Sequence, residues 1–316
     1  MKPLHALRWQ GGAFSALALV VAAFSIFSTW LDSRLELGVV VTLIFFLGIP
    51  HGAFDTVYAR RAYPIRSVSG WLIFSCLYTG AAAAVVGLWW LLPAVFLTGF
   101  LLLSAFHFSG DPISNTPALF RLWYGGAVVV LPALLHEREV AVLFGYLVSG
   151  NFSAQIAAFL NGLAAPWLVG LIISAAKNFR HDSPTSVETV SMALLMVAAA
   201  PLTGFTVFFC AMHSARHAVR TQKFAAQMSL WWTAKQAIPP MVMFSFIVAF
   251  SWNTATVIPF DAAIVRLLFV SLAALTVPHM WLIERFRFAR AFVDAELPEV
   301  INSAKGTVAL TTRTLR

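Results

Sequence analysis

The sequence predicts an all-α fold, a polytopic integral membrane bundle of about eight to ten transmembrane helices. Of its 316 residues, 60% are hydrophobic and only 11% are charged, whereas about 25% of residues are charged in typical soluble domains. The mean hydropathy is +0.82. The apolar runs are continuous, as in AFSALALVVAAFSIFSTWL at 13–31, whereas the strands of a membrane barrel alternate apolar and polar residues.

Apolar runs of spanning length recur along the whole chain. A bilayer core about 30 Å thick needs about 20 apolar residues per helical span. We therefore expect one membrane domain over 1–316, with a helical core at about 13–285 and an exposed tail at about 286–316. The first run lacks an obvious cleavage site, so we expect a retained helix. The runs lie at 13–31, 37–58, 70–91, 92–108, 118–135, 140–160, 163–176, 189–215, 238–257 and 262–283.

The middle of the chain leaves two arrangements open. The charged segment HERE at 136–139 cannot lie in the middle of a bilayer, so a helix is expected to end there. In the favoured arrangement, 140–176 makes two short crossings with NGLAAP at 161–166 as the turn. In the other, 140–176 crosses once and the chain turns back at Pro201–Gly204.

The basic residues predict orientation rather than nucleic-acid binding. The net charge is +8, but Lys and Arg lie in short segments between apolar runs, where they set topology. Lys2 and Arg8 predict a cytoplasmic N-terminus in the inner (plasma) membrane, and the uncharged LLPAV at 91–95 predicts an outer turn. Cys76 and Cys210 lie within apolar runs and indicate neither a disulfide framework nor a metal pair.

Five of the eight histidines lie within apolar runs or at their ends. Polar side chains in a membrane are costly and usually face the bundle interior. A single such histidine most often makes a structural hydrogen bond, whereas several at one depth favour a shared site. The five are His51 in GIPHGAFD, His107 in SAFHFSGD, His213 and His217 in CAMHSARH, and His279 in TVPHMWLIE.

The spacing of these histidines favours a metal site. His213 and His217 are four residues apart, so on a helix they share a face and can bind one ion. The same spacing separates two of the other histidines from Asp55 and Asp111, and a ligating histidine usually gives its second N–H to a carboxylate.

The predicted orientation places His51, His107, His213 and His217 toward the cytoplasmic ends of their helices. Three helices can then bring four imidazoles to one level, and His279 falls near that level as a fifth candidate. Imidazole suits zinc, copper and nickel as well as iron. Iron is of particular interest because an octahedral ion with four protein ligands keeps two positions open for O₂ or substrate.

At PHGAFD, FHFSGD, HSARH and TVPHMWL the sequence resembles the bacteriorhodopsin-related protein (Brp/Blh) family of membrane β-carotene 15,15′-dioxygenases. The resemblance covers roughly residues 35–285. It implies an iron(II) enzyme that uses O₂ to cleave the central double bond of β-carotene into two molecules of all-trans-retinal. The residues it implies as ligands of Fe²⁺ are His51, His107, His213 and His217. Asp55, Asp111 and His279, chosen from their spacing and depth, are expected to support the ligands or catalysis.

A long apolar polyene would dissolve in the bilayer and enter the bundle laterally. Cleavage at one bond requires that the polyene be held in register against the metal. Aromatic side chains near the histidines are candidates for lining such a tunnel: Phe106, Phe108, Trp123 and Trp281. Because the chain has 28 Phe and 11 Trp, most of its aromatic residues are expected to pack helices or lie at membrane interfaces.

Two other functions are compatible with membrane histidines. One is a membrane metal oxygenase acting on another isoprenoid or lipid. The other is a transporter for a metal or protons. Transport favours acidic residues and histidines at several depths, with broken helices near the midplane. Because the candidate residues are expected at one depth, an enzyme is preferred.

Overall fold

The computed structural model describes residues 3–27, 33–63, 65–113, 116–225 and 261–285, with a few isolated positions between 229 and 242. Within these residues all regular structure is helical, which confirms the predicted all-α fold. The helices are α1 (Pro3–Phe27), α2 (Ser33–Leu43), α3 (Pro50–Ala53), α4 (Asp55–Ala62), α5 (Val68–Leu91), α6 (Pro93–Phe108), α7 (Ala118–Val130), α8 (Ala133–Gly145), α9 (Phe152–Phe179), α10 (Ser183–Ala198), α11 (Pro201–Val207), α12 (Ala215–Phe224) and α13 (Asp261–Arg285).

Four of the described helices are long and apolar enough to cross a membrane: α1, α5, α9 and α13. A fifth span results if α7 and α8, which are bent by 58° at their junction, together make one broken crossing. The apolar helices Leu35–Gly48 and α6 are shorter than the roughly 20 residues that cross a full hydrocarbon core. The eight to ten crossings expected from the sequence are therefore not confirmed, and the run at 238–257 and the tail at 286–316 fall largely or wholly outside the described residues.

Helix α9 corrects the prediction for the middle of the chain. It continues without a break through NGLAAP, so the predicted turn at 161–166 is wrong. The Asn161 amide donates to the carbonyls of Ala133 and Leu134 on α8, which satisfies this polar group inside a helix pair. Pro166 also lies within α9. The helices next break at 180–182, between α9 and α10, and then at 199–200, just before α11. The second arrangement placed its turn at Pro201–Gly204, which is the start of α11.

Proline residues mark two other breaks. The chain leaves helical geometry at Leu92, and α6 begins with Pro93, as the predicted turn at 91–95 requires. Helix α8 begins after Pro132 and spans HERE, but its backbone is non-helical at His136 (φ −122°, ψ 34°), so a kink lies where the sequence predicted a helix end. A further break lies at Pro132, because a proline removes a backbone donor and disfavours the preceding helical turn.

Helix α13 runs through the interior and is the element that brings the last histidine into the bundle. Leu272 joins the largest buried cluster, which α1, α7, α9 and α10 also build. Val270 packs with Leu97 of α6, and Leu282 packs with Phe54. These contacts fix α13 along its length.

Two turns of π-helix, Ile44–Gly48 and Phe208–Ser214, pack against each other. A Cβ atom on Gly48 would lie only 2.6 Å from the Phe209 ring, so glycine permits this close approach. The Ser214 hydroxyl donates to the Gly48 carbonyl at 3.3 Å. Single π-helical turns occur frequently at functional sites, and here they lead directly into α3 and contain the first histidine of HSARH.

Candidate active site

His107 and His213 form the closest contact of the site. His107 lies in the last turn of α6 and His213 in the second π-helical turn. Their Nε2 atoms are 3.1 Å apart, and their ring centroids are 4.6 Å apart. Two imidazole nitrogens bound at neighbouring positions of one octahedral ion, each at about 2.1 Å, are about 3.0 Å apart. The pair therefore fits two ligands of a single transition-metal ion.

Asp111 fixes the orientation of the His213 ring. Both carboxylate oxygens of Asp111 lie 3.1 Å from His213 Nδ1, and both residues are buried. Because a carboxylate accepts hydrogen bonds, Nδ1 carries the hydrogen and the neutral ring presents the Nε2 lone pair toward His107. A carboxylate behind an imidazole in this way is the usual arrangement in metal centres.

Two arginines hold the loop that carries Asp111. Arg216 Nη1 donates to the Asp111 carbonyl at 3.1 Å, and Arg220 Nη2 donates to the same carbonyl at 2.8 Å. Burial lowers the pKa of the Arg220 guanidinium to about 10, so this group stays charged at neutral pH. Arg216, which is fully buried, pairs with the buried Glu188 carboxylate at 2.9 Å.

His279 continues the cluster from the side of α13. Its ring centroid is 5.4 Å from that of His107 and 5.2 Å from that of His217. Its Nδ1 lies 2.6 Å from Asp55 Oδ1. Asp55 and Asp111 thus each contact an imidazole on a different helix.

His217 lies on α12 at the far end of the cluster. Its ring stacks on Tyr58 with centroids 5.6 Å apart, and its Nε2 is 3.4 Å from the Thr221 hydroxyl. The Tyr58 hydroxyl is 2.9 Å from the same Thr221 oxygen. His51 lies on α3, and α3 packs against α12. The side chain of His51 lies outside the described part of the structure.

The structure thus brings four imidazoles into one contiguous group. Successive centroid distances are 4.6 Å, 5.4 Å and 5.2 Å along the order His213, His107, His279, His217. Among the described side chains, no three His, Cys, Asp or Glu residues are arranged tightly enough to hold an ion, and the imidazole of His51 is not among them. The donor set of neutral imidazoles backed by carboxylates fits a divalent transition metal.

The four aromatic candidates lie in different environments. Phe108 is buried, and its ring centroid is 5.0 Å from that of His213. Trp123 packs against Trp167 with centroids 4.8 Å apart. Phe106 and Trp281 are 46% and 72% exposed on the outside of the described bundle. Phe108 is thus placed against the imidazole of His213.

An apolar cavity adjoins the histidines through Phe108. Its cavity volume is about 80 Å³, well below the roughly 300–1,000 Å³ of pockets that enclose a whole drug-sized ligand. Its described lining is hydrocarbon or aromatic apart from Ser104. The lining residues are Leu97, Phe100, Leu101, Ser104, Phe108, Val128, Val129, Pro132, Val140, Leu143, Phe144, Leu147, Pro201, Phe205 and Phe269.

Sequence reasoning missed several residues that position the site, among them Tyr78, Glu188, Arg216 and Arg220. Each has a polar or charged side chain within or beside an apolar run, and such groups usually face partners in the bundle interior. Arg216 stands within HSARH itself. The free-energy cost of placing a polar side chain in a membrane identified the histidines as candidates. The same criterion, applied to these four residues, would have identified them as well.

Comparison with known proteins identifies the family. The sequence profile described as β-carotene 15,15′-dioxygenase matches residues 42–287. The chain belongs to the β-carotene 15,15′-dioxygenase family. A β-carotene 15,15′-dioxygenase from uncultured marine bacterium 66A03 is 30% identical over 261 residues, covering 77% of this chain and 91% of that protein. No solved structure matches the chain. Members of this family are carotenoid-cleaving dioxygenases, and the matched range contains every histidine and carboxylate of the site.

Proposed function

We propose that the protein is an iron(II)-dependent dioxygenase that cleaves the central double bond of β-carotene with O₂ and releases two molecules of all-trans-retinal. Family membership and the name of the curated relative support the substrate and the bond. One structural observation supports the chemistry most directly: the Nε2 atoms of His107 and His213 are 3.1 Å apart, and Phe108 joins this pair to an apolar cavity.

The proposed ligand set contains neutral imidazoles, so two positive charges remain on the ion. Two buried carboxylates, Asp55 and Asp111, offset these charges in an environment where an uncompensated charge is costly. When bound, a ferrous ion supplies the electrons and the open coordination positions for O₂. The ligands proposed for it are His51, His107, His213 and His217.

The chain's own residues would hold the polyene in register. β-Carotene is a hydrocarbon that partitions into the lipid bilayer, so lateral entry between helices brings it to the bundle without exposure to water. The cavity would then receive part of the chain, with Phe108 between the cavity and His213. Holding the reacting bond beside the metal supplies much of the advantage that an enzyme has over solution. We place the protein in the inner (plasma) membrane with a cytoplasmic N-terminus.

The cluster geometry disfavours transport. A path for protons or metal ions needs ionisable groups at successive depths, whereas the described imidazoles contact one another in a single group. A metal oxygenase with another isoprenoid substrate would have the same site. The family profile and the curated relative favour β-carotene over other isoprenoids.

The test uses the full-length protein purified in detergent, stripped of metal and reloaded with Fe²⁺ under anaerobic conditions. On addition of β-carotene and O₂ we expect loss of carotenoid absorbance and two retinal molecules per β-carotene consumed. Reloading with Zn²⁺, which has no redox chemistry, should restore no cleavage. Folded protein that carries iron and leaves β-carotene intact contradicts the proposed substrate, and cleavage by the metal-free protein contradicts the iron requirement.

A further inference from the structure

His279 occupies the gap between two of the proposed ligands. It is 2% exposed, and its ring lies within 5.4 Å of His107 and 5.2 Å of His217 by centroid distance. In both contacts the ring planes are nearly perpendicular, at 88° and 78°. Its position on α13 therefore places an imidazole between His107 and His217.

Asp55 determines which nitrogen of His279 carries the hydrogen. The 2.6 Å contact between Asp55 Oδ1 and His279 Nδ1 requires the hydrogen on Nδ1, because a carboxylate accepts. The neutral ring then carries its lone pair on Nε2, an atom that is buried in the interior. A histidine whose Nδ1 hydrogen is held by a carboxylate has the usual form of a metal ligand that binds through Nε2.

Tyr78 holds the second oxygen of Asp55. The Tyr78 hydroxyl donates to Asp55 Oδ2 at 2.6 Å, so both oxygens of this buried carboxylate are engaged. A hydrogen bond to a charged acceptor is stronger than one between neutral groups, and the line Tyr78–Asp55–His279 joins α5, α4 and α13. Asp55 thus holds the His279 ring at Nδ1, and Tyr78, on another helix, holds Asp55.

The same design occurs at His213, where Asp111 accepts from Nδ1 and Nε2 faces His107. We propose that His279 is a further metal ligand, binding through Nε2, and that Asp55 and Tyr78 are its positioning residues. This inference rests on the proposed function in one respect, namely that the cluster holds a metal.

The test counts ligands with Co²⁺ as the probe. Metal-free wild-type protein and the His279→Ala, Asp55→Asn and Tyr78→Phe variants are titrated with Co²⁺ in detergent, with His181→Ala as control because His181 lies on the surface. Proton NMR of the cobalt forms then reports the strongly shifted, exchangeable N–H signals, one for each bound imidazole.

We expect His279→Ala to bind Co²⁺ more weakly than wild type and to lack one shifted N–H signal, and added imidazole to restore affinity. Asp55→Asn should lower metal affinity by about 10–100-fold, with a smaller loss in Tyr78→Phe and none in His181→Ala. If His279→Ala does not fold, His279→Gln replaces it, because the Gln amide still donates to Asp55 but supplies no imidazole.

Retention of wild-type Co²⁺ affinity and of every shifted signal in the His279 variant would overturn the assignment. Wild-type protein that binds no Co²⁺ would overturn both this inference and the proposed iron centre. Wild-type protein that binds Co²⁺ through His279, and whose iron form leaves β-carotene intact, would contradict only the proposed reaction.

Discussion

His107 and His213 are separated by 106 positions in the chain, yet their Nε2 atoms lie 3.1 Å apart. The contact joins the end of α6 to a π-helical turn, and Asp111 holds the second ring from behind. Neither helix alone presents two nitrogens in this way. The pair is therefore a product of helix packing, and it makes the proposed centre sensitive to single substitutions.

Replacing any proposed ligand should remove both metal and activity. We expect His51→Ala, His107→Ala, His213→Ala and His217→Ala each to lose bound iron and β-carotene cleavage, because each substitution deletes one imidazole donor. The measurements are iron content by mass spectrometry of the purified protein and retinal formation by chromatography.

The matched control is His181→Ala, a surface histidine that should retain wild-type iron and activity. A ligand variant that keeps full iron content and full activity would remove that histidine from the set. If His181→Ala also lost iron and activity, the losses in the ligand variants would reflect impaired folding and not the removal of a ligand.

Gly125 allows α7 to pack directly on the last turn of α6. A Cβ atom at this position would lie 2.1 Å from the Ala105 carbonyl oxygen and 2.5 Å from the Ser109 nitrogen. Because both are backbone atoms, Gly125→Ala must displace the turn that carries His107, at a cost of about 1–3 kcal/mol. We expect a lower melting temperature and weaker iron binding.

The control for this substitution is Gly99→Ala on α6, where a Cβ meets nothing within 4 Å. Alanine in an open helical position should stabilise by about 0.5–1 kcal/mol. Equal melting temperatures for Gly125→Ala and the wild type would show that the close approach of α6 and α7 is unimportant for stability.

Glu188 neutralises a fully buried arginine. Its Oε2 atom is 2.9 Å from Arg216 Nη2, and Glu188→Gln leaves that guanidinium without a counter-charge. Removing one partner of a buried pair typically costs about 3–5 kcal/mol, so we expect a marked fall in melting temperature. Glu139→Gln, at a pair whose carboxylate side chain is 55% exposed, should change stability by no more than about 0.5 kcal/mol. Similar shifts in the two variants would contradict the role of burial.

Filling the apolar cavity should impair cleavage and spare the metal. Leu143 lines the cavity from α8, and Leu143→Trp places a larger ring in the space proposed for the polyene. We expect about a tenfold loss in kcat/KM for β-carotene, equivalent to about 1.4 kcal/mol, with unchanged iron content.

Val142 is the matched control because it is 55% exposed on the same helix and does not line the cavity. Val142→Trp should cleave β-carotene like the wild type. Wild-type kcat/KM in Leu143→Trp would exclude the cavity as a substrate site, whereas equal losses in the two variants would point to a general effect on α8.

Much of the candidate site could be predicted from local sequence. Histidines in apolar runs are costly unless they have partners, and this cost singled out His107, His213, His217 and His279, which the structure brings together. The partners were harder to predict. The sequence spacing indicated that Asp55 and Asp111 support the ligands. However, each carboxylate contacts an imidazole on another helix, and such a contact depends on how the helices pack.

Helix boundaries were predicted less well wherever tertiary contacts compete with local signals. NGLAAP has the composition of a turn, yet Asn161 finds carbonyl partners on α8 and the helix continues. The π-helical turns have no simple composition signal. They form where Gly48 admits the Phe209 ring, a contact between segments that are far apart in the chain.

Composition and periodicity by themselves determined that this chain is all-α and apolar enough to enter a membrane, because the hydrophobic effect and backbone hydrogen bonding act on every residue regardless of partner. Tertiary structure alone decided that Asp55 contacts His279 and that Asp111 contacts His213. It also decided that Phe108 lies between an imidazole and an apolar cavity. These pairings depend on the relative placement of separate helices, which no local pattern encodes.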